Sequence, residues 1–505
     1  MKSQKIKLFM LLALAFSSCN DNLDLNPLDQ ISSSTFWKTK GDFDKALTAN
    51  YASMQADPWA VELPVWNCLA DDGFAQHNSG SAREITSGSI SPSTGGYVSG
   101  VYGESYKAIA RVNIFLAQLE AYTNSDISNV DRTLYEAEVR FLRAFYYFQL
   151  YHLYGDVPLV LVPLTLETQN QPKVPAAEIL AQINADLDFA IANLKSNAYP
   201  QNGGHAAVSS AQALKARVLI FAAYGEDGTP DPAVLTQVKE LTSAVIPKYT
   251  LSPNFEDLFR DAGQKNNPEI IYSINFLAPN NTRPWDMYYG DWLVASPLQN
   301  FVDAFECTDG LPYGVSPLTD KDEPFKNRDS RLAKTVFVDH PDFGGGRVHI
   351  PSNSRPSGYG VMKFLAPENI PFGFSTLSQQ NAVVLRLADV LLMYAEAQNE
   401  LAGPDASVYK AINDVRLRSK MPTLPAGLTK AQMRERIRHE RRIELGFEGL
   451  RYYDLKRWRI AETVLNNVKD SFVPYKFEKK FYKWPIPQPE IDKSGGVLVQ
   501  NEDYR

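Results

Sequence analysis

The stretch VVLRLADVLLMYAEAQNELAG, residues 383–403, decides the fold class. It reads as one helix that stops at Gly403-Pro404, where glycine ends a helix without strain and proline cannot continue it. A short helix follows, with Val408, Ile412 and Val415 at helical spacing. Thr429 and Gln432 then form a capping box ahead of MRERIRHERRIELGFEG, residues 433–449. Consecutive helices joined by short Gly/Pro turns are helical hairpins.

The same habit runs through the first half. ESYKAIARVNIFLAQLEAY (104–122) carries Ile109, Val112, Leu116 and Leu119 on one face. PAAEILAQINADLDFAIANL (175–194) does the same with Leu180, Ile183, Leu187, Ile191 and Leu194. Ser209 and Gln212 read as a capping box for a helix bearing Leu214, Val218 and Phe221. Asp231 and Pro232 read as cap and first residue of a helix with Val234, Val238, Leu241 and Val245. The expected class is all-α, built of tetratricopeptide-like hairpins without a clean 34-residue period. The scaffold falls mainly at 104–250 and 383–465. Residues 57–103 and 250–375 are rich in glycine, serine, asparagine and aromatics. Loops that long in one domain are usually functional, so they form the expected ligand-binding half of a single body spanning 36–505.

At the other end, LLALAFSSCNDNLDLNP (11–27) shows an apolar run ending at a cysteine. Lys2, Lys5 and Lys7, the apolar Leu8 to Phe16 and small Ser17-Ser18 make residues 1–18 a lipoprotein signal peptide, with Cys19 as the acylated residue. Several acyl chains, each buried CH₂ adding ~0.8 kcal/mol, form a lasting anchor. Residues 19–35 are polar and turn-rich and suit a flexible tether. Loss of the three signal lysines takes the formal charge from −7 to −10. An acidic body argues against nucleic acid as a partner, since that affinity rests on neutralising phosphates. Beyond Cys19 only Cys68 and Cys307 remain, so there is no disulfide framework, and their pairing is open.

GxSxG, Walker and HExxH patterns are missing, and six scattered histidines show no metal-ligand spacing, so neither a catalytic residue nor a metal or cofactor is expected. FGGGR (343–347) lacks the flanking strand and helix of a phosphate loop. Asp71-Asp72, or Asp286 with Asp291, are the carboxylates a glycosidase would use. Such residues more commonly cap turns or bind ligand. The most suggestive stretch is NNTRPWDMYYGDWLVASP (280–297). It sets Trp285, Tyr288, Tyr289 and Trp292 beside Arg283, Asp286 and Asp291. Flat rings receive the C–H face of a sugar, and polar side chains bond its hydroxyls. The alternative is that these rings are buried anchors for the loop. WAVELPVWNCLADDGFAQHNSG, with Trp59, Trp66, Asp72 and Asn78, is a weaker second site. In RERIRHERRIELGFEGLRYYDLKRW (434–458), glutamates interleave with the arginines, which predicts an ion-pair network rather than a basic patch.

Four stretches together resemble the signatures of the SusD/RagB outer-membrane lipoproteins. They are YEAEVRFLRAFYYFQLYHLYGDVPLV (135–160), LRLADVLLMYAEAQNEL (385–401), INDVRLRS (412–419) and ERRIELGFEGLRYYDLKRW (440–458), closed by KWPIPQPEI (483–491). The resemblance implies four tetratricopeptide-like hairpins packed on an irregular ligand-bearing half. It implies a place on the outer face of the outer membrane, with Asp21 and Asp24 as an export signal. It implies a SusC-like TonB-dependent transporter as partner, over which the protein sits as a hinged lid. The cargo would be an oligosaccharide or polysaccharide, or peptide in the RagB branch, without chemistry on it. The family motifs supply scaffold positions only. The expected ligand contacts therefore rest on the loops: Arg283, Trp285, Asp286, Tyr288, Tyr289 and Trp292, with Trp66, Asp72 and Asn78.

Overall fold

The hairpin expected from residue 383 forms from Leu387 on, as helices Leu387–Ala402 and Ala406–Arg418. The first residues of the opening stretch do not join it. β-branched Val383 and Val384 lie in a strand, Ala382–Arg386, because a partner strand, Ile270–Ile274, is there to pair with them. The structure is a computed structural model that describes residues 36–196, 202–337, 358–369, 372–469 and 474–505. The signal peptide, the tether with Cys19, and FGGGR lie outside the described residues. Helix accounts for 52% and strand for 7%, which makes the class all-α.

The longer helices are α1 Lys40–Ala52, α2 Tyr97–Ala121, α3 Asn129–Tyr154, α4 Ala176–Asn193, α5 Val208–Ala222, α6 Pro232–Val245, α7 Leu387–Ala402, α8 Ala406–Arg418, α9 Lys430–Glu444 and α10 Arg451–Arg457. Short strands are β1 Gly73–Ala75, β2 Val157–Pro158, β3 Lys173–Val174, β4 Ile270–Ile274, β5 Ala295–Pro297 and β6 Ala382–Arg386. Each helix from α2 to α6 packs on the next, and α6 then packs on α7, which packs on α8 and α9. The stack therefore continues across the long excursion between α6 and α7. Antiparallel pairing of β4 with β6 closes the base of that excursion.

Local chemistry sets several boundaries. Asp231 caps α6 by accepting from the Ala233 amide at 2.8 Å, with Pro232 first in the helix. Thr429 and Gln432 cap α9 reciprocally. The expected Ser209–Gln212 box does not form. Helix α5 starts at Val208, Ser210 Oγ accepts from the Ala207 amide, and the Ser209 hydroxyl is buried against Tyr249 Oη at 2.6 Å. Helix α3 is buried on almost every side, as befits a helix between scaffold neighbours and the loop half. Its Arg143 is held in a two-pronged pair with Asp186 of α4, both bonds 2.8 Å. Cys68 and Cys307 are buried and form no disulfide among the described residues.

The arginine-rich stretch 434–458 forms the expected network, and it is the joint between scaffold and excursion. Buried Glu444 accepts from Arg331 at 2.9 Å, Arg386 at 2.6 Å and Arg418 at 2.5 Å. Arg386, the last residue of β6, also grips Glu448 and Glu269. Arg331, from the excursion, pairs with Asp329 and Glu440. The stretch's own Arg434, Arg436, Arg441, Arg442, Arg451 and Arg457 are paired with Glu400, Glu306, Asp389, Asp72, Asp71 and Glu396, so most of its positive charge is neutralised within the protein rather than offered to a nucleic acid.

Burial of His152 in α3 has a consequence for acid stability. Desolvation, with Lys456 adding like charge, pushes its imidazole down to about 3. Burial raises the Glu396 carboxyl, but Arg457 outweighs this and holds it down to about 2. Between its folded value and its ordinary 6.5, His152 binds a proton only when unfolded. Acidification therefore removes stability from pH 6.5 downward, and Glu396 adds to the loss below 4.5. One such group contributes a slope of at most about 1.4 kcal/mol per pH unit. Resistance to urea is expected to weaken between pH 6.5 and 4.5; burial and nearby arginines push His439 down to about 3 as well, so His152→Phe should make that limb shallower without abolishing it. An unchanged slope in the variant would remove His152 as its cause.

Candidate functional site

Two pairs of rings, each four residues apart, organise the aromatic stretch. Residues Asp286–Asp291 form one turn of π-helix, which keeps i and i+4 side chains on one side. Trp285 and Tyr289 point inward and are fully buried (0% exposed). Trp285 Nε1 and Tyr289 Oη both donate to the Val61 carbonyl, at 2.7 and 3.0 Å. Tyr288 and Trp292 take the other side. Their rings stack at 5.4 Å with an interplanar angle of 16°, and both are only half-buried.

The polar residues of the stretch are structural. Arg283 is buried beside Trp285, its guanidinium 3.0 Å from the ring centroid, and donates to the Ala60 carbonyl. Burial holds its ionisation well below the usual range for arginine. Asp286 is buried and accepts from the Ala366 amide and Asn369 Nδ2 at 2.8 Å, from Ser378 Oγ at 3.0 Å, and from Gln380 Nε2 at 3.3 Å. It therefore ties Ala366 and Asn369, and Ser378 and Gln380, to the π-turn. Gly290 permits that close approach, because a Cβ there would come within 2.3 Å of the Phe372 ring. The tie carries Phe374, 83% exposed, to the edge of Trp292, with centroids 5.5 Å apart at 73°.

The second stretch meets the first through β1, paired antiparallel with β5. Trp66 is buried, stacked on Tyr97 at 4.6 Å, with Nε1 donating to the Pro58 carbonyl. Trp59 is buried against Phe145 and Tyr146. Asp72 is buried and paired with Arg442 at 2.7 Å, while Arg442 and Arg451 grip Asp71. Burial raises the Asp72 carboxyl. For Asp71 burial acts the same way, but Arg442 and Arg451 outweigh it and lower that group. Asn78 adopts positive φ and holds a turn by donating to Glu84 and accepting from the Arg83 amide at 2.8 Å.

The structure places the expected contact residues on two sides of the loops. Trp285, Tyr289, Arg283, Asp286, Trp66 and Asp72 are interior residues that shape the loops, and Asn78 is a turn-former. Tyr288 and Trp292 stand at an open cleft with about 530 Å³ of space, shared with Glu62, His77, Ser79 and Asp291. His77 Nε2 lies 3.0 Å from the Trp292 carbonyl oxygen. Burial raises the Glu62 carboxyl above its ordinary value. Reading the sequence missed Glu62, His77 and Phe374. Only Phe374, in FGFSTL (372–377), carried a signal of its own: an aromatic among turn residues.

Comparison with known proteins matches this architecture. Residues 255–504 fit a family model described as the SusD family, and residues 21–220 fit one described as starch-binding and associating with the outer membrane. Over their full lengths, the chain is 26% identical to SusD-like protein P2 of Formosa agariphila, and 24% identical to the starch-binding protein SusD of Bacteroides thetaiotaomicron. It superposes on a SusD-like carbohydrate-binding protein of Bacteroides fragilis with a TM-score of 0.80 and 25% identity, covering 93% of this chain and 100% of that one. The matched segments contain the helical stack apart from α6, the ion network and both aromatic loops, and the chain belongs to the SusD/RagB family.

Proposed function

We propose that the protein is a surface-exposed, non-catalytic lipoprotein that captures oligosaccharide or polysaccharide and delivers it to a SusC-like TonB-dependent transporter. The observation that carries the reading is the Tyr288–Trp292 stack, extended by exposed Phe374 and bordered by Glu62, His77 and Asp291. Two near-parallel rings and a third at right angles give a curved apolar wall, onto which the C–H faces of successive sugar rings fit. The polar border supplies hydroxyl partners, the general plan of such sites. Named relatives that bind starch or carbohydrate support the class of cargo. Anchoring through Cys19 fits the same reading.

Absence of catalysis is supported by the fate of the expected carboxylates. Asp71 and Asp72 are neutralised by arginines, and Asp286 is occupied by loop donors. Glu62 and Asp291 line the cleft and are the carboxylates to watch. The test is calorimetric titration with α- and β-linked gluco-oligosaccharides, alongside an assay for new reducing ends. One linkage class is expected to bind one-to-one with no reducing ends released. Release of reducing ends, or binding of peptides and of no saccharide, would overturn the reading. Recovery of a TonB-dependent transporter with the protein from solubilised outer membrane is the expected sign of the partner.

A further inference from the structure

Lys456, on α10, is 2% exposed, yet it has no carboxylate within ion-pair distance among the described residues. Its ammonium makes one long hydrogen bond, 3.5 Å to the His152 carbonyl, and lies 5.1 Å from the Tyr452 ring centroid. Neighbouring buried cations are treated otherwise. Arg457 has Glu396 and Asp454, Arg441 has Asp389 and Asp454, and Lys363 has Glu448 at 2.6 Å. A buried cation without a counter-charge is costly, and an ammonium with three donors and one long bond is incompletely satisfied.

What stands in front of Lys456 is more positive charge. A cleft of about 460 Å³ runs from the end of α3 to the chain at 479–483 and is lined by Lys456, Arg459, Lys480 and Lys483. Arg459 donates from Nε to the Gly225 carbonyl at 3.2 Å and lies over the Tyr482 ring. Lys483 lies across Gly155, where a Cβ would come within 2.9 Å of its Cδ and Cε. The acids of the cleft, Glu226 and Asp503, are exposed at its rim, and Glu226 is 3.7 Å from rim Lys479. Burial, with like charge from Arg459 and Lys483, pushes Lys456 down to about 7.

We propose that this cleft binds a tetrahedral oxyanion, sulfate or phosphate, free or as an ester, with Lys456 as the buried cation at its floor and Arg459 and Lys483 closing on it. Such an anion offers several acceptor oxygens to one ammonium and neutralises the excess positive charge. The cleft shares no residue with the Tyr288–Trp292 surface, so the two sites stand or fall separately.

The test is titration of the protein at pH 6, at constant ionic strength in chloride, with sodium sulfate, sodium phosphate, glucose 6-sulfate and uncharged glucose. At least one oxyanion is expected to bind one-to-one with Kd below about 1 mM. Lys456→Met should weaken it at least ~tenfold, about 1.4 kcal/mol. Arg459→Ala and Lys483→Ala, both nearer the surface, should each weaken it several-fold and cover the case in which the Lys456 variant does not fold. Tighter binding of the ester marks a saccharide ester as the ligand, and binding of the inorganic ions alone marks the free anion; either supports the site. Failure of every oxyanion to bind above chloride, or wild-type affinity in all the variants, would overturn it.

Discussion

Trp292→Ala is expected to weaken oligosaccharide binding roughly tenfold or more while the fold survives, whereas Trp285→Ala is expected to cost stability first. Trp292 is half-buried, stacked on Tyr288 and edged by Phe374, so its removal deletes one wall of the cleft. An aromatic contact adds about 0.5–1.5 kcal/mol beyond its buried area, which together exceeds the 1.4 kcal/mol of a tenfold change. Trp285 is enclosed by Tyr289, Phe364 and Arg283, and its indole N–H donates to the Val61 carbonyl. Truncating a buried tryptophan costs about 3–5 kcal/mol. Here it also strands a buried guanidinium, whose Nε and Nη2 have no hydrogen-bond partner among the described residues. Urea midpoints and titrations of both variants separate the two roles. Wild-type affinity in Trp292→Ala would move the binding surface elsewhere; wild-type stability in Trp285→Ala would contradict its place as an anchor.

The other large effect lies at the joint. Glu444→Gln keeps the shape of the side chain but removes the charge that Arg331, Arg386 and Arg418 share. Losing one partner of a buried ion pair costs about 3–5 kcal/mol, because the remaining charge stays desolvated without compensation. Asp414→Asn breaks the exposed pair with Lys410 and should change stability by less than about 1 kcal/mol. Glu444 connects β6, α8, α9 and the short helix at Arg331. The variant should therefore loosen the excursion from the scaffold, read as faster amide exchange in 270–274 and 331–335. Equal urea midpoints for the two variants would mean that the network adds nothing beyond surface pairing.

The scaffold was legible because its signals are local. Helical spacing, Asp231-Pro232, Thr429 with Gln432 and Gly403-Pro404 act within one or two turns, and the structure keeps all of them. The missed box at Ser209 and the strand at Val383 fail for one reason. A distant partner, Tyr249 in one case and β4 in the other, overrides the local preference. At the site, the two i, i+4 pairs Trp285–Tyr289 and Tyr288–Trp292 were both present in the sequence. Nothing in that spacing tells which pair faces in.

The sequence by itself determined the all-α class, the helical hairpins, the ion pairing of 434–458 and, through its long motifs, the family. The class, the hairpins and the motifs depend on neighbours along the chain; for 434–458 the interleaved charges announced ion pairing, but most of the partners, such as Arg331, Arg386 and Arg418, come from elsewhere in the chain. Only the tertiary structure decided which rings meet solvent. The Val61 carbonyl, brought in from the other loop region, takes Trp285 and Tyr289, and this leaves Tyr288 and Trp292 outside. Asp286 then sets Phe374 beside them by binding a segment some eighty residues away. Lys456 likewise looked like one more member of a paired stretch, yet among the described residues no carboxylate comes within ion-pair distance of it. Long-range packing assigns partners, and a residue becomes available to a ligand when packing assigns it none.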